Sequence, residues 1–170
     1  MRVLLLAARE AIRARLEGRP PRPPRVTLAR AAVFVTLRKG GELRGCMGTL
    51  QPRTEDLVRE TMERAVVAAF EDPRFPPLAP DELKRCSIEV TVLGQPEPAG
   101  LEDLDPARFG VEVSDAEGRR AVLLPGIPGL ATAAAQVEAA RRKAGIPAGA
   151  PVVLRRFSAV TVEEEGRGEP

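Results

Sequence analysis

The sequence has no histidine, tryptophan, tyrosine or asparagine, and only three glutamines. Without histidine there is no Ser-His-Asp or Cys-His arrangement and no imidazole to bind a metal. Five phenylalanines are the only aromatic surfaces, which argues against a stacking platform for single-stranded nucleic acid. The two cysteines, Cys46 and Cys86, fit no CxxC pattern, so neither a zinc site nor an iron–sulfur cluster is indicated. Free cysteines suit a reducing, cytoplasmic setting. No apolar run approaches the roughly 20 residues of a membrane helix. Charge returns by Arg9 after the opening Met1–Leu6, which does not read as a signal peptide. Neither GxGxxG nor GxxxxGK[ST] occurs, so no Rossmann or P-loop site is supported. The expectation is a protein with no cofactor, no metal site and no membrane segment.

At 170 residues the chain is long enough for one domain with a real core, and it needs no disulfide or metal to hold it. Its 17 prolines and lack of asparagine give a thermophile-like composition. Arginine outnumbers lysine 23 to 3, as a GC-rich genome would produce. The net charge of +2 is unevenly spread. Residues 1–45 carry 11 basic and 3 acidic side chains, whereas residues 54–117 carry 6 basic and 16 acidic. The basic third could meet phosphates or an acidic partner, or it could face the acidic region within the fold. No nucleic-acid motif accompanies it, so a nucleic-acid role ranks last.

Residues 3–17 predict an amphipathic helix with Leu5, Ala8, Ile12 and Leu16 on one face and Gly18 at its end. Arg19 to Pro24 is a proline-stiffened spacer. Ala31–Leu50 predicts a hairpin around Gly40-Gly41. With those two glycines as the turn, Phe34 faces Met47, Val35 faces Cys46 and Leu37 faces Arg44. Thr54 is placed to cap a helix reaching Phe70. A rigid loop follows over Glu71–Leu78, then a strand over Cys86–Leu93 with Ile88, Val90 and Val92 inward and Glu89 and Thr91 outward. Residues 94–108 read as loop. A second hairpin pairs 110–114 with 120–124, a helix spans 130–143, and a last strand spans 152–163 before the terminal residues fray. This order predicts an α+β fold: a mainly antiparallel β-sheet flanked by two or three helices, with a smaller lobe.

Leu43-Arg44-Gly45-Cys46-Met47-Gly48 is the most unusual stretch. Glycine weakens a strand, so Gly45 and Gly48 imply close approach of another backbone or of a ligand. Alternation puts Arg44 and Cys46 on one face, where a guanidinium would favour a thiolate. In the register above, Cys46 also shares its face with Val33, Val35 and Leu37, where it would be a small buried hydrophobe. Glu89 is the candidate proton carrier in a chain without histidine, or else a solvent-facing residue. Asp72 and Arg74, bracketing Pro73, could orient a substrate or form a local ion pair that holds the loop.

These segments resemble the AMMECR domain family, whose bacterial and archaeal members are called AmmeMemoRadiSam system protein A. The 43–48 stretch is similar to the family's LRGCIG signature, with Met47 in place of isoleucine. Asp72-Pro73-Arg74-Phe75-Pro76-Pro77-Leu78 is similar to its DPRFPPL loop, and Ile88–Leu93 to the strand that follows. Ala32–Leu37, Leu124-Pro125 and Lys143–Ile146 match further landmarks, so the likeness spans nearly the whole chain, as one AMMECR-type domain over 1–170. It implies that Arg44, Gly45, Cys46 and Gly48 line a cleft with Asp72, Arg74 and Glu89. It also implies association with Memo-type and radical-SAM proteins, without supplying a reaction. Two readings lead. One is an enzyme or binder of a small acidic or carbonyl-containing molecule, with Arg44 holding it, Cys46 as nucleophile or contact, and Glu89 moving protons. The other is a non-catalytic adaptor for those partner proteins.

Overall fold

Helix α1 (Arg2–Leu16) buries Leu4, Ala8 and Ile12 completely. It packs against α2 (Leu57–Phe70), whose Val58, Met62, Ala65 and Ala69 form the matching stripe. The computed structural model describes residues 1–164; the expected fraying of the last residues lies outside them. The chain divides into two units, Met1–Val92 together with the chain from Val160 onward, and Leu93–Ala159. The fold is α+β with a mainly antiparallel sheet.

In the first unit, β1 (Ala32–Lys39) lies between β2 (Glu42–Gly48) and β3 (Cys86–Leu93). The far end of β7 (Val153–Glu163) runs beside β3, where the Thr91 and Thr161 hydroxyls meet at 2.9 Å. Val33, Val35, Leu37, Ile88 and Val90 are fully buried under the two helices. This is the alternating pattern expected of a sheet with one face covered. The apolar face of α1 also carries a charge that the sequence pattern conceals. Buried Arg9 donates to the carbonyls of Leu83 (3.0 Å) and Cys86 (2.7 Å), and pairs with Glu164.

The β1–β2 turn forms as expected, with Gly40 and Gly41 at φ 58° and 81°, angles that suit glycine. The register does not hold beyond the tip. Lys39 pairs with Glu42 and Arg38 with Leu43, but Leu37 pairs with Gly45, Thr36 with Cys46 and Val35 with Met47. The shift leaves Arg44 as one extra residue on β2, a β-bulge. Because side chains alternate with period two, a slip of one residue reverses the faces. Cys46 therefore lies opposite Thr36, not opposite Val35 on the core face.

Asp56, not the expected Thr54, caps α2: the Asp56 carboxylate accepts the Val58 N–H at 3.0 Å and the Leu28 N–H at 3.1 Å. The N–H groups of Arg53 and Thr54 are drawn instead to the buried Glu60 carboxylate, at 2.8 and 2.9 Å. The loop before the helix is thereby folded back onto its first turn.

The second, smaller unit holds β4 (Glu97–Pro98), β5 (Phe109–Ser114), β6 (Arg120–Leu123) and the first part of β7. Both β6 and β7 pair antiparallel to β5. Helix α3 (Ala133–Ala144) buries Val137 and Ala140 against Val111 and Val113. It starts three residues later than expected. Gly129 turns the chain at φ 83°, and Thr132 then caps the helix, accepting the Ala135 N–H at 3.2 Å. Gly145 ends it in the left-handed conformation at φ 69°. The 94–108 stretch, expected as loop, contributes β4 and a short 3-10 turn at Leu101–Asp103.

Candidate functional site

Among the described residues no strand lies beside the outer edge of β2, so its backbone groups need other partners. The loop after α2 supplies them at Cys46. The Cys46 N–H donates to Asp72 Oδ2 at 2.9 Å, and the Cys46 carbonyl accepts from Arg74 Nη2 at 3.2 Å. Asp72 and Arg74 lock to each other through Nε–Oδ1 at 2.9 Å and Nη2–Oδ2 at 2.7 Å, and the Arg74 N–H caps Oδ1 at 3.1 Å. Pro73 makes this geometry local, since it fixes the turn between the two side chains. The Arg74 guanidinium holds the Asp72 carboxyl well below the usual carboxylate range, helped by the Cys46 and Arg74 N–H groups against the opposing effect of burial. Asp72 is buried, while the Arg74 side chain is 53% exposed.

The Cys46 thiol is half-buried and accepts from the Thr36 hydroxyl at 3.3 Å. Cys86 differs in kind. It is fully buried, and burial pushes its thiol above the ordinary value.

Arg44 does not point at Cys46. Its guanidinium pairs with Glu82, Nη2–Oε2 at 2.9 Å and Nε–Oε1 at 3.2 Å, and also donates to the Pro76 carbonyl at 3.0 Å. Lys39 Nζ reaches the same carboxylate at 2.9 Å. Arg44 above all, then the Ala79 N–H and Lys39, hold Glu82 well below its ordinary pKa. Phe75 lies within cation–π range of both arginines, 5.8 Å from Arg44 and 5.5 Å from Arg74.

The two glycines of the signature answer to crowding. A Cβ at Gly45 would collide with the backbone carbonyl of Ala68 on α2. A Cβ at Gly48 would collide with the Phe34 ring and crowd the Val33 carbonyl. Glu89, half-buried on β3, lies 3.8 Å from Arg38 in a loose ion pair. No hydrogen bond joins it to Cys46 among the described residues.

The structure thus brings Cys46, Asp72 and Arg74 together by hydrogen bonds and ties Arg44 to the same loop through Pro76. It sets Glu89 with Arg38. Two residues escaped the sequence reading. Thr36 was hidden by the bulge. Glu82 had a usable signal, because a glutamate three residues after Ala79 ahead of a short helical turn is placed to accept the Ala79 N–H, as it does at 3.0 Å. No group of three or more acidic or cysteine side chains is arranged to hold a metal among the described residues. No helix there is long and apolar enough to cross a membrane.

The model of the family described as AMMECR1 matches residues 5–162. A relative from Thermotoga maritima is 45% identical over 127 residues, covering 74% of this chain and 72% of its own. One from Methanothermobacter thermautotrophicus is 41% identical over 137 residues, covering 73% and 70%. A longer relative from Clostridium acetobutylicum, 39% identical over 125 residues, is matched over 26% of its length. Among solved structures, that of an uncharacterized protein from Pyrococcus horikoshii superposes with a TM-score of 0.84 at 30% identity, over 98% of this chain and 92% of that one.

Proposed function

Because the chain belongs to the AMMECR1 family, we propose that it is a cytoplasmic protein, one AMMECR-type domain over residues 1–170, that binds and transforms a small acidic or carbonyl-containing molecule alongside Memo-type and radical-SAM proteins. The observation that carries this reading is the placement of Cys46. The bulge at Arg44 turns the thiol away from the Val33/Val35/Leu37 core, and Asp72 and Arg74 hold its backbone from the strand's open side. A thiol kept for packing needs neither device, whereas a group that must meet a substrate needs a fixed position.

In this reading Cys46 is the nucleophile or contact. The exposed Arg74 guanidinium, with Arg38, attracts the acidic or carbonyl group. Glu89, partnered loosely by Arg38, carries protons. Arg44 is a positioning residue that acts through Glu82, Pro76 and Phe75. Gly45 and Gly48 let β2 lie close to α2 and to Phe34.

Iodoacetamide labelling of the native protein, mapped by mass spectrometry, tests the proposal. The expected result is modification of Cys46 with Cys86 untouched, together with a Cys46→Ser variant that keeps the parent melting temperature. If Cys46 stays unlabelled until denaturant is added, the thiol is packing and the reading fails.

The second reading, a non-catalytic adaptor, draws on the position of β2 at the edge of the sheet, where a partner could add a strand. It expects a stable complex with a Memo-type or radical-SAM protein in a pull-down, lost on substitution of Arg44.

A further inference from the structure

One face of α1 carries Leu6, Arg9, Glu10 and Arg13, spaced as helical neighbours, and the proline-rich segment after the helix lays Arg19, Arg22 and Pro24 across it. Together they line an open cavity of about 490 Å³. That is the size range of small-molecule sites, roughly 300–1,000 Å³. Four arginines meet one glutamate there.

The charges are not equally engaged. Arg9 is buried and committed to Glu164 and two backbone carbonyls. Arg19 grips Glu10 with both terminal nitrogens, at 2.6 and 3.1 Å, and turns Nε to Glu17 at 2.5 Å. The Arg22 N–H donates to the same Glu10 carboxylate at 3.0 Å, which pins the proline-rich segment to the helix. Arg19 first, with the Arg22 N–H and the nearby charges of Arg19 and Arg13, holds Glu10 down at a pKa of about 2, so it remains ionised and engaged at ordinary pH. This leaves the guanidinium groups of Arg13 and Arg22. Both are exposed, and neither makes a hydrogen bond or ion pair among the described residues.

We infer that this cavity is a binding site for a small molecule bearing two or more phosphates, gripped by Arg13 and Arg22. Two uncommitted planar forks suit several anionic oxygens, because guanidinium binds phosphate bidentately. The four prolines between Arg19 and Arg25 limit the motion of the Arg22 backbone, so little order is lost on binding. Leu6, 63% exposed, and Pro24 offer an apolar wall for the rest of the ligand. The Glu10–Arg19 pair acts as a fixed internal brace. This site is independent of Cys46.

The test is calorimetric titration of the full chain with tripolyphosphate, using Arg13→Gln, Arg22→Gln and the double variant. A charge-matched control carries Arg2→Gln and Arg25→Gln, which lie outside the cavity lining. The expected result is saturable binding that weakens about tenfold or more in the double variant, the loss of charge-assisted hydrogen bonds, and less than about threefold in the control. Absence of binding overturns the inference. Equal weakening in the control overturns it too, since the anion would then be responding to a diffuse basic surface. A short single-stranded oligonucleotide that binds more tightly than tripolyphosphate, and loses affinity in both variants alike, would assign the surface to nucleic acid and also overturn the inference.

Discussion

Asp72 takes the place of a missing strand beside Cys46: its Oδ2 accepts the Cys46 N–H at 2.9 Å, where a neighbour's carbonyl would otherwise lie. Arg74 completes the imitation by donating to the Cys46 carbonyl. Two residues on either side of one proline thus satisfy both backbone groups of an edge-strand residue.

Substituting Asp72→Asn keeps the shape and removes the charge. The amide presents a donor to at least one of the N–H groups that now point at a carboxylate. We expect a loss of about 2–3 kcal/mol in urea denaturation, below the full cost of breaking a buried pair because Arg74 is half in solvent. The rate of Cys46 alkylation should rise in this variant, because the strand edge is released.

Acid sensitivity follows from the same group. Asp72 and Glu82 both have folded-state pKa values depressed below the ordinary carboxylate value. The stability they contribute is therefore fully present above the unfolded-state pKa of about 4 and lost as pH falls through the folded-state values. Denaturation midpoints should be flat on this account above about pH 5 and decline below it. The Asp72→Asn variant should show a shallower decline than the parent.

Gly45→Ala is expected to destabilise the first unit even though it adds one methyl group. The methyl meets a helix carbonyl, which cannot swing aside, so β2 and α2 must part. A cost of about 1–3 kcal/mol, read from thermal or chemical unfolding, is expected. Gly118→Ala meets no neighbouring atom and strains only its turn at φ 81°. It serves as the comparison for a purely conformational effect.

Arg44→Lys separates a positioning role from a ligand-holding one. A lysine cannot reproduce the fork on Glu82 and the bond to Pro76 together. Stability should fall by about 1–2 kcal/mol without any ligand present, measured by denaturant unfolding. An unchanged midpoint would mean that Glu82 and Lys39 hold the loop without Arg44.

Much of this molecule is legible from residue pattern. The Cys86–Leu93 strand has the boundaries read from sequence, with Ile88 and Val90 inside, because alternation over a half-covered sheet is a strong constraint; Val92 is only partly buried, and Thr91, expected outward, is buried with its hydroxyl against Thr161. The Gly40-Gly41 turn is equally plain. The bulge three residues later is not. Nothing in the composition of Leu43-Arg44-Gly45 says which residue will be extra, and that one residue decides whether Cys46 faces core or solvent. The glycines did carry a usable signal of close approach, and at Gly45 the approaching group is a backbone. Asp72 and Arg74 were recognisable as a rigid pair, but their grip on Cys46 spans 26 and 28 residues of sequence, and contacts at that separation leave no periodic trace. Arg9 was missed for a different reason: on an apolar helix face a charged residue reads as an interruption until its carbonyl partners are seen.

Strand β7 shapes the order in which the chain can fold as it is made. One part of β7 supplies the partner of β5 and the other part supplies the partner of β3. During synthesis, β3 waits through the production of an entire second unit before its neighbour emerges. Until then its unpaired edge, with Arg9 still lacking Glu164, is exposed to any other strand in the crowded cell. A chain stopped shortly before Val153 would lack the strand that β3 and β5 both neighbour, and each would be left with an open edge.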